Sequence, residues 1–327
     1  MKHNTIRCLL SLAVLICMIF SIFSFQSCSK LGKEMYSDTY TATESVIHSD
    51  ITLKNEETFD EEEIPTEEPE DEEEPEETED TEPSYNSSSS GGSMQLKKFQ
   101  TIQNRTDANN NFYFYAQGSC SDGNYLYVMI NNDLDANFLS SLHKIDLKTG
   151  KTVKIVDGLK TGSSNDMTYN SKKGQIVITT NDPDKYRIVV LDAENLTVIE
   201  DKKLSKKVYS IAYDAQKDGY WLGLCGSYNF IFVDSNFNQK GGVYTGINTG
   251  NTKQGMECVN GYIYFLQTNQ NSVVIYKNDG TYVTEINLPE LNVTSAQSIC
   301  YANGYFYIGC HVEYSGCFMY KSQITLK

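Results

Sequence analysis

The sequence predicts an all-β protein, a five-bladed β-propeller behind an export segment and a disordered acidic stalk. Three observations carry this. A short phrase recurs after Met94 with a period near 45 residues. Each copy holds a tight turn with Gly between two short apolar runs. The chain has 23 Tyr and 14 Phe but one Trp, and its last two thirds show no helical period. Aromatic and β-branched runs of this kind suit strands.

Residues 1–28 read as an address. Lys2, His3 and Arg7 precede an apolar run from Cys8 to Phe25, the plan of an export signal. The run ends in Phe25-Gln26-Ser27-Cys28, which resembles the lipobox of bacterial lipoproteins. That resemblance implies lipidation at Cys28 and a place on the extracellular side of a bacterial cell membrane. An uncleaved anchor and an ordinary cleaved signal are the alternatives, since the run is about as long as the shortest spanning helix.

Residues 29–93 read as a stalk. From Glu56 to Glu82 there are 18 acids and no base, with Pro65, Pro69 and Pro75 among them. A like-charge block of this kind repels itself and buries no core. Residues 87–93, SSSSGGS, have the composition of a flexible linker. The net charge of −16 gathers in this stalk, because from Met94 onward 22 bases meet 21 acids. A near-neutral domain argues against nucleic acid as a partner.

Residues 94–327 form the repeat domain. The phrase begins at Gln117, Asn165, Tyr209, Gln254 and Gln297, at intervals of 48, 44, 45 and 43 residues. A fixed period of this length marks a propeller or a solenoid. In each copy an inner strand leads through a turn such as Asn260-Gly261 or Asn303-Gly304 into a second strand. Asn-Gly supplies the positive φ angles of a two-residue hairpin. Second strands are expected over 125–130, 175–180, 220–224, 262–266 and 305–310. Third strands are expected over 142–146, 187–192, 230–234, 273–277 and 317–320. Four strands per repeat make a propeller blade. The last repeat is short, so 96–102 is expected to supply its outermost strand and close the ring.

The Gln-Gly phrase with a following Gly-Tyr-x-Tyr, as in Gln254-Gly255 and Gly261-Tyr262-Ile263-Tyr264, resembles glutamine cyclotransferase-like and helveticin-like propellers of secreted bacterial proteins. The resemblance implies a five-bladed ring with its site on the central face. It also implies a Glu where Gln254 stands, which puts catalysis second to binding.

Topology then nominates the site. The loops entering the inner strands and those between second and third strands open on one face. Gln117, Asn165, Tyr209, Gln254 and Gln297 enter the inner strands. Asn131, Asp133, Asp182, Tyr228, Asn269, His311 and Glu313 lie in the second set of loops. Amides, hydroxyls and Tyr rings there suit a polar ligand, a glycan or a protein partner at the envelope. An equally open alternative is that the recurring Gln only satisfies backbone at a narrow axis. Carboxylate chemistry would draw on Asp133, Asp166, Asp182 and Glu313. The alternating oxygens of Asn131, Asp133, Asp135 and Asn137 lack the Gly and the twelfth-position Glu of a calcium loop. No metal and no cofactor are expected. His143 is expected to be structural. Cys310 and Cys317 flank one hairpin loop and are the candidate disulfide pair; Cys120 and Cys300 share a repeat position and read as small buried side chains.

Overall fold

The computed structural model describes residues 84–89, 91–133, 137–225, 229–246, 253–268, 271–291, 293, 295–312 and 316–327. All lie within one unit, Glu77–Lys327. The expected signal, Cys28 and the acidic tract 56–82 fall outside these residues.

The described chain enters through β1 (Ser84–Ser89) and β2 (Gly92–Ile102) and makes a small hairpin of β3 (Arg105–Thr106) and β4 (Phe112–Tyr113). The blades follow in chain order. Blade 1 is β5 (Tyr115–Ser121), β6 (Tyr125–Asn131), β7 (Ser140–Asp146) and β8 (Thr152–Leu159). Blade 2 is β9 (Ser163–Asn170), β10 (Gln175–Asp182), β11 (Arg187–Asp192) and β12 (Val198–Lys203). Blade 3 is β13 (Val208–Asp214), β14 (Gly219–Leu224), β15 (Asn229–Asp234) and β16 (Gln239–Thr245). Blade 4 is β17 (Lys253–Val259), β18 (Tyr262–Gln267), β19 (Ser272–Lys277) and β20 (Tyr282–Asn287). Blade 5 is β21 (Ser295–Ala302), β22 (Tyr305–Val312) and β23 (Gly316–Leu326), completed by β2 and then β1. The inner strands β5, β9, β13, β17 and β21 each pack on the next, and β21 returns to β5. The ring is closed.

Local chemistry explains the register. Asn260 and Gly261 have φ of 54° and 80°, and Asn303 and Gly304 have 51° and 86°, the two positive values of a type I′ hairpin. At the end of the third strand an Asp caps the next turn. Asp146 accepts from the amides of Lys148 and Thr149 at 3.0 and 2.7 Å. Asp192 accepts from Glu194 and Asn195 at 3.1 and 2.7 Å, and Asp234 from Asn236 and Asn238 at 3.0 and 2.9 Å. A side chain that bonds backbone two residues on fixes such a turn.

The core lies between blades. Met94 and Leu96 of β2 enter the cluster shared by blades 4 and 5, with Leu266, Ile275, Ile299 and Ile308. Ile102 of the same strand enters the cluster shared by blades 5 and 1, with Leu126, Val128 and Met319. One strand therefore contributes to two cores. Trp221 is fully buried between blades 3 and 4, and its indole N–H donates to Asp214 at 3.2 Å.

The expected closing strand is present and longer than its pattern suggested. The run 87–93 is not a free linker: Ser88 pairs with Ser93 and Ser89 with Gly92. The sheet thus begins by Ser84, and the last blade has five strands where four were expected. Composition fails here because Ser and Gly also suit an edge that meets a neighbour closely. A Cβ on Gly92 would stand 2.6 Å from the Thr325 carbonyl oxygen and 2.7 Å from Ile286 Cδ1.

The expected Cys310–Cys317 disulfide is corrected. Cys317 pairs with His311, and Cys310 pairs with Phe318. Neighbouring strand positions point to opposite faces, so Cys310 enters the core of blades 4 and 5 and Cys317 that of blades 5 and 1. Both are free thiols, as are Cys120 and Cys300, which are buried as expected. His143 is also buried, on β7, where desolvation and the nearby Arg105 charge lower its pKa to about 4.

The Gly of the Gln-Gly phrase marks a close approach of inner strands. A Cβ on Gly118 would lie 2.9 Å from the Asp166 backbone, and one on Gly255 would lie 2.9 Å from the Ile299 nitrogen. Gly118→Ala and Gly255→Ala are each expected to lose about 1–3 kcal/mol in urea unfolding, the usual cost of overpacking. Ser210→Ala at the same repeat position should be near neutral, because its buried hydroxyl has no partner among the described residues. Equal losses at all three positions would refute the close-approach explanation.

Candidate functional site

Every blade bulges at the same place. The pairing of inner with second strands shifts between Ala116 and Ser119, Val208 and Ser210, Lys253 and Gly255, and Ala296 and Ser298. In blade 2, Thr179 pairs with Asp166 and Thr180 with Ser164, so Asn165 is skipped. The unopposed residues include Gln117, Asn165, Tyr209, Gln254 and Gln297, the start of the recurring phrase in all five copies. A bulge re-aims the extra side chain and increases local twist. The repeated phrase is thus the sequence signature of a bulge.

Three of these side chains meet across the axis. Gln254 Nε2 donates to Gln117 Oε1 at 2.8 Å and to Asn165 Oδ1 at 3.1 Å. Asn165 Nδ2 donates to the Tyr209 carbonyl at 2.8 Å. Gln117 and Asn165 are buried, and Gln254 is half-buried. These amides bond to one another and to backbone, which is the structural alternative raised by the sequence. Gln297 differs. It is 2% exposed, its Nε2 donates to Ser295 Oγ and to Tyr115 Oη at 3.4 Å, and its Oε1 is buried with no partner among the described residues.

Below the amides the axis is closed by Asp166. The sequence offers it as a loop carboxylate for catalysis, and the structure corrects this. It stands in β9, fully buried. One carboxylate oxygen accepts from the amides of Ile211 in blade 3 and Met256 in blade 4 at 2.9 and 3.0 Å, and the other accepts from Met167 at 2.9 Å. Three blades share one carboxylate. Burial pushes its pKa well above the carboxylate range, against these amide donors. One layer further, Glu257 accepts from Cys258 at 2.7 Å and from Tyr301 of blade 5 at 2.8 Å. Burial raises its carboxyl from 4.5 to about 7.

Glu257 should leave a mark on stability against pH. A raised folded pKa means that the fold favours the protonated acid. That stabilisation is full below about pH 4.5 and is lost as pH rises through about 7. Urea midpoints should therefore fall from pH 5 to pH 8 more in the wild type than in Glu257→Gln. Identical slopes would remove Glu257 from the account.

The mouth above the amides gathers residues from several blades. Asp133 stands exposed at the rim; desolvation raises its carboxyl, a Ser163 hydrogen bond lowers it, and the Asp182 charge raises it, with a net upward shift. Burial and the Asp133 charge raise Tyr115. Asp182 ends β10 half-buried and accepts from Asn181 Nδ2 at 3.0 Å. Lys185 lies 3.5 Å from the Tyr209 hydroxyl. Burial lowers its pKa, but Tyr209, Cys225 and Asp182 outweigh that and raise it.

Like Asp182, which ends β10, two further residues expected in loops lie in strands. His311 is in β22, buried, with its ring 4.5 Å from that of Tyr115. Asn131 ends β6, fully buried, accepting from Ser140 and Ser164 hydroxyls at 2.9 and 2.6 Å and donating to the Ser164 carbonyl. In blades 1, 2, 4 and 5 the second strand runs one or two residues past its apolar pattern, whereas in blade 3 it ends at Leu224 as expected. Glu313, Tyr228, Asn269 and Asp135 lie outside the described residues. Among the described residues no group of three His, Cys, Asp or Glu could hold a metal.

Sequence reasoning missed Tyr115, Ser163, Ser295 and Lys185. The first three stand two residues before the bulge in blades 1, 2 and 5. Extending the repeat comparison upstream would have found them.

The architecture defines the class, a five-bladed β-propeller. No protein-family model matches the chain, and no curated protein does. Among solved structures, Myxococcus xanthus glutaminyl cyclase is similar at 12% identity and a TM-score of 0.49, over 69% of this chain and 96% of that one. Regucalcin, a calcium-binding protein of Agrobacterium tumefaciens, is similar at 10% identity and a TM-score of 0.45, over 70% of this chain and 96% of that one.

Proposed function

We propose that the domain is a binding propeller, tethered through Cys28 to the extracellular side of a bacterial membrane, whose mouth takes a polar ligand with hydroxyl or amide groups. The supporting observation is Gln297, buried at the mouth beside Tyr115 and Ser295 with a carbonyl oxygen that has no partner among the described residues. A ligand donor there would satisfy an acceptor whose burial otherwise costs about 1–3 kcal/mol. The acids and amides below are committed to the protein's own backbone and to one another, which favours recognition over catalysis.

Calorimetry with a panel of neutral oligosaccharides and blocked dipeptides tests this. Gln297→Ala should weaken a bound panel member roughly tenfold or more, one lost hydrogen bond to a buried site, while the melting temperature holds. Ligand affinity unchanged in both Gln297→Ala and Tyr115→Phe would defeat it. A second reading, carboxylate-based catalysis, draws on Asp133, whose raised pKa beside Asp182 suits a general acid. Turnover of a panel member that disappears in Asp133→Asn, with binding retained, would favour it.

A further inference from the structure

The opposite end of the strands carries a second, unassigned feature. Lys97 of β2 and Lys321 of β23 face each other directly across the sheet. Like charges in that position repel and destabilise. Neither makes an ion pair among the described residues. Gln95 and Gln323 form the next pair on the same face. The Lys321 ammonium lies 3.7 Å from the centre of the Tyr305 ring.

Two cavities meet at these residues. One, of about 220 Å³, is lined by Gln95, Lys97, Tyr305, Lys321 and Gln323. The other, of about 430 Å³, shares Tyr305 and Lys321 and reaches Asn303 of blade 5 and Asn124, Tyr125, Asp146 and Lys148 of blade 1. Asn303 Nδ2 donates to the Gly123 carbonyl at 2.6 Å and pins the rim between blades 5 and 1. The groove thus brings together ammonium groups, amides and tyrosine rings, while its lining carboxylate, Asp146, accepts from the amides of Lys148 and Thr149.

We propose that this groove binds an acidic oligosaccharide, with Lys97 and Lys321 on a carboxylate, the amide pairs on hydroxyls and Tyr305 against a sugar ring. A bound anion would relieve the mutual repulsion of the two lysines, and amides with both donors and acceptors match vicinal hydroxyls. A single-stranded nucleic acid would need a longer basic track with successive stacking platforms, which one lysine pair in a near-neutral domain does not supply. The site is independent of the mouth, since its residues in β2, β22 and β23 gather near the Asn303-Gly304 turn, at the end of β22 away from His311.

The test is calorimetric titration of the full chain with hexagalacturonate, cellohexaose and an oligothymidylate. The chain should bind hexagalacturonate and neither of the other two. Lys97→Gln with Lys321→Gln should weaken that binding roughly tenfold or more, the loss expected for charge-assisted contacts, with a melting temperature no lower than the wild type. Lys97→Gln alone, at an exposed position, provides a weaker form of the same loss if the double variant folds poorly. No binding of hexagalacturonate, or binding unchanged by the substitutions, would overturn the proposal. Equal binding of the oligothymidylate would overturn the choice of a sugar ligand.

Discussion

Removal of residues up to Ile102 should abolish cooperative unfolding of the domain, whereas removal of residues before Ser84 should leave it intact. The reason is that β2 supplies the neighbour of β23 from Gly92 to Ile102. Its Met94 and Leu96 fill one interblade core and its Ile102 another, all at most 3% exposed. Deleting one such side chain costs about 2–5 kcal/mol. Three of them, with an opened edge strand, reach the roughly 5–15 kcal/mol of a whole domain. A cut at Ser93 should fall between, because it removes β1 and the Gly92 contact but spares Leu96. Calorimetry on the three truncations checks the order. Equal transitions for cuts before Ser84 and after Ile102 would mean that the ring does not close through this strand.

Asp166→Ala should be the most damaging substitution at the axis. It strands the amides of Met167, Ile211 and Met256 in the interior. At about 1–3 kcal/mol for each unpaired buried group, the loss is roughly 3 kcal/mol or more, or roughly 6–12 °C in melting temperature for a domain of this size. The loss should shrink at high pH. Burial holds this carboxyl well above its ordinary range, so the wild type itself loses stability as the acid ionises. Asp166→Asn retains a carbonyl acceptor and should cost less. Scanning calorimetry at pH 5 and pH 9 reads both effects; an Asp166→Ala variant as stable as wild type would mean that the axis is held otherwise.

Much of the ring was legible in the sequence because its determinants are local and repeated. Asn260-Gly261 and Asn303-Gly304 encode hairpins by φ alone, and the 45-residue period aligns the blades. The observed third strand of blade 2, Arg187–Asp192, matches its pattern residue for residue. What stayed hidden depends on partners distant in the chain. Ser84–Ser89 looks like a linker until β2 is placed beside it. Asp166 looks like a free acid until amides from two other blades are brought to it. At the mouth, Gln117, Asn165, Tyr209, Gln254 and Gln297 are legible as a ring, yet nothing in the repeat separates Gln254, which bridges its neighbours, from Gln297, whose carbonyl oxygen has no partner among the described residues. The difference lies in the partners: Gln254 donates to Gln117 and Asn165, whereas Gln297 donates to Ser295 of its own strand and Tyr115 of blade 1.

An axis closed by the protein's own hydrogen bonds confines recognition to the mouth above. Amide hydrogen exchange at Ile211 and Met256 tests this most directly. Both N–H groups should exchange only through global opening, as slowly as the paired amides of β14, because each is held by the buried Asp166 carboxylate. Fast exchange at these two positions, with β14 still protected, would contradict the account and make the axis an open channel with Asp166 facing solvent.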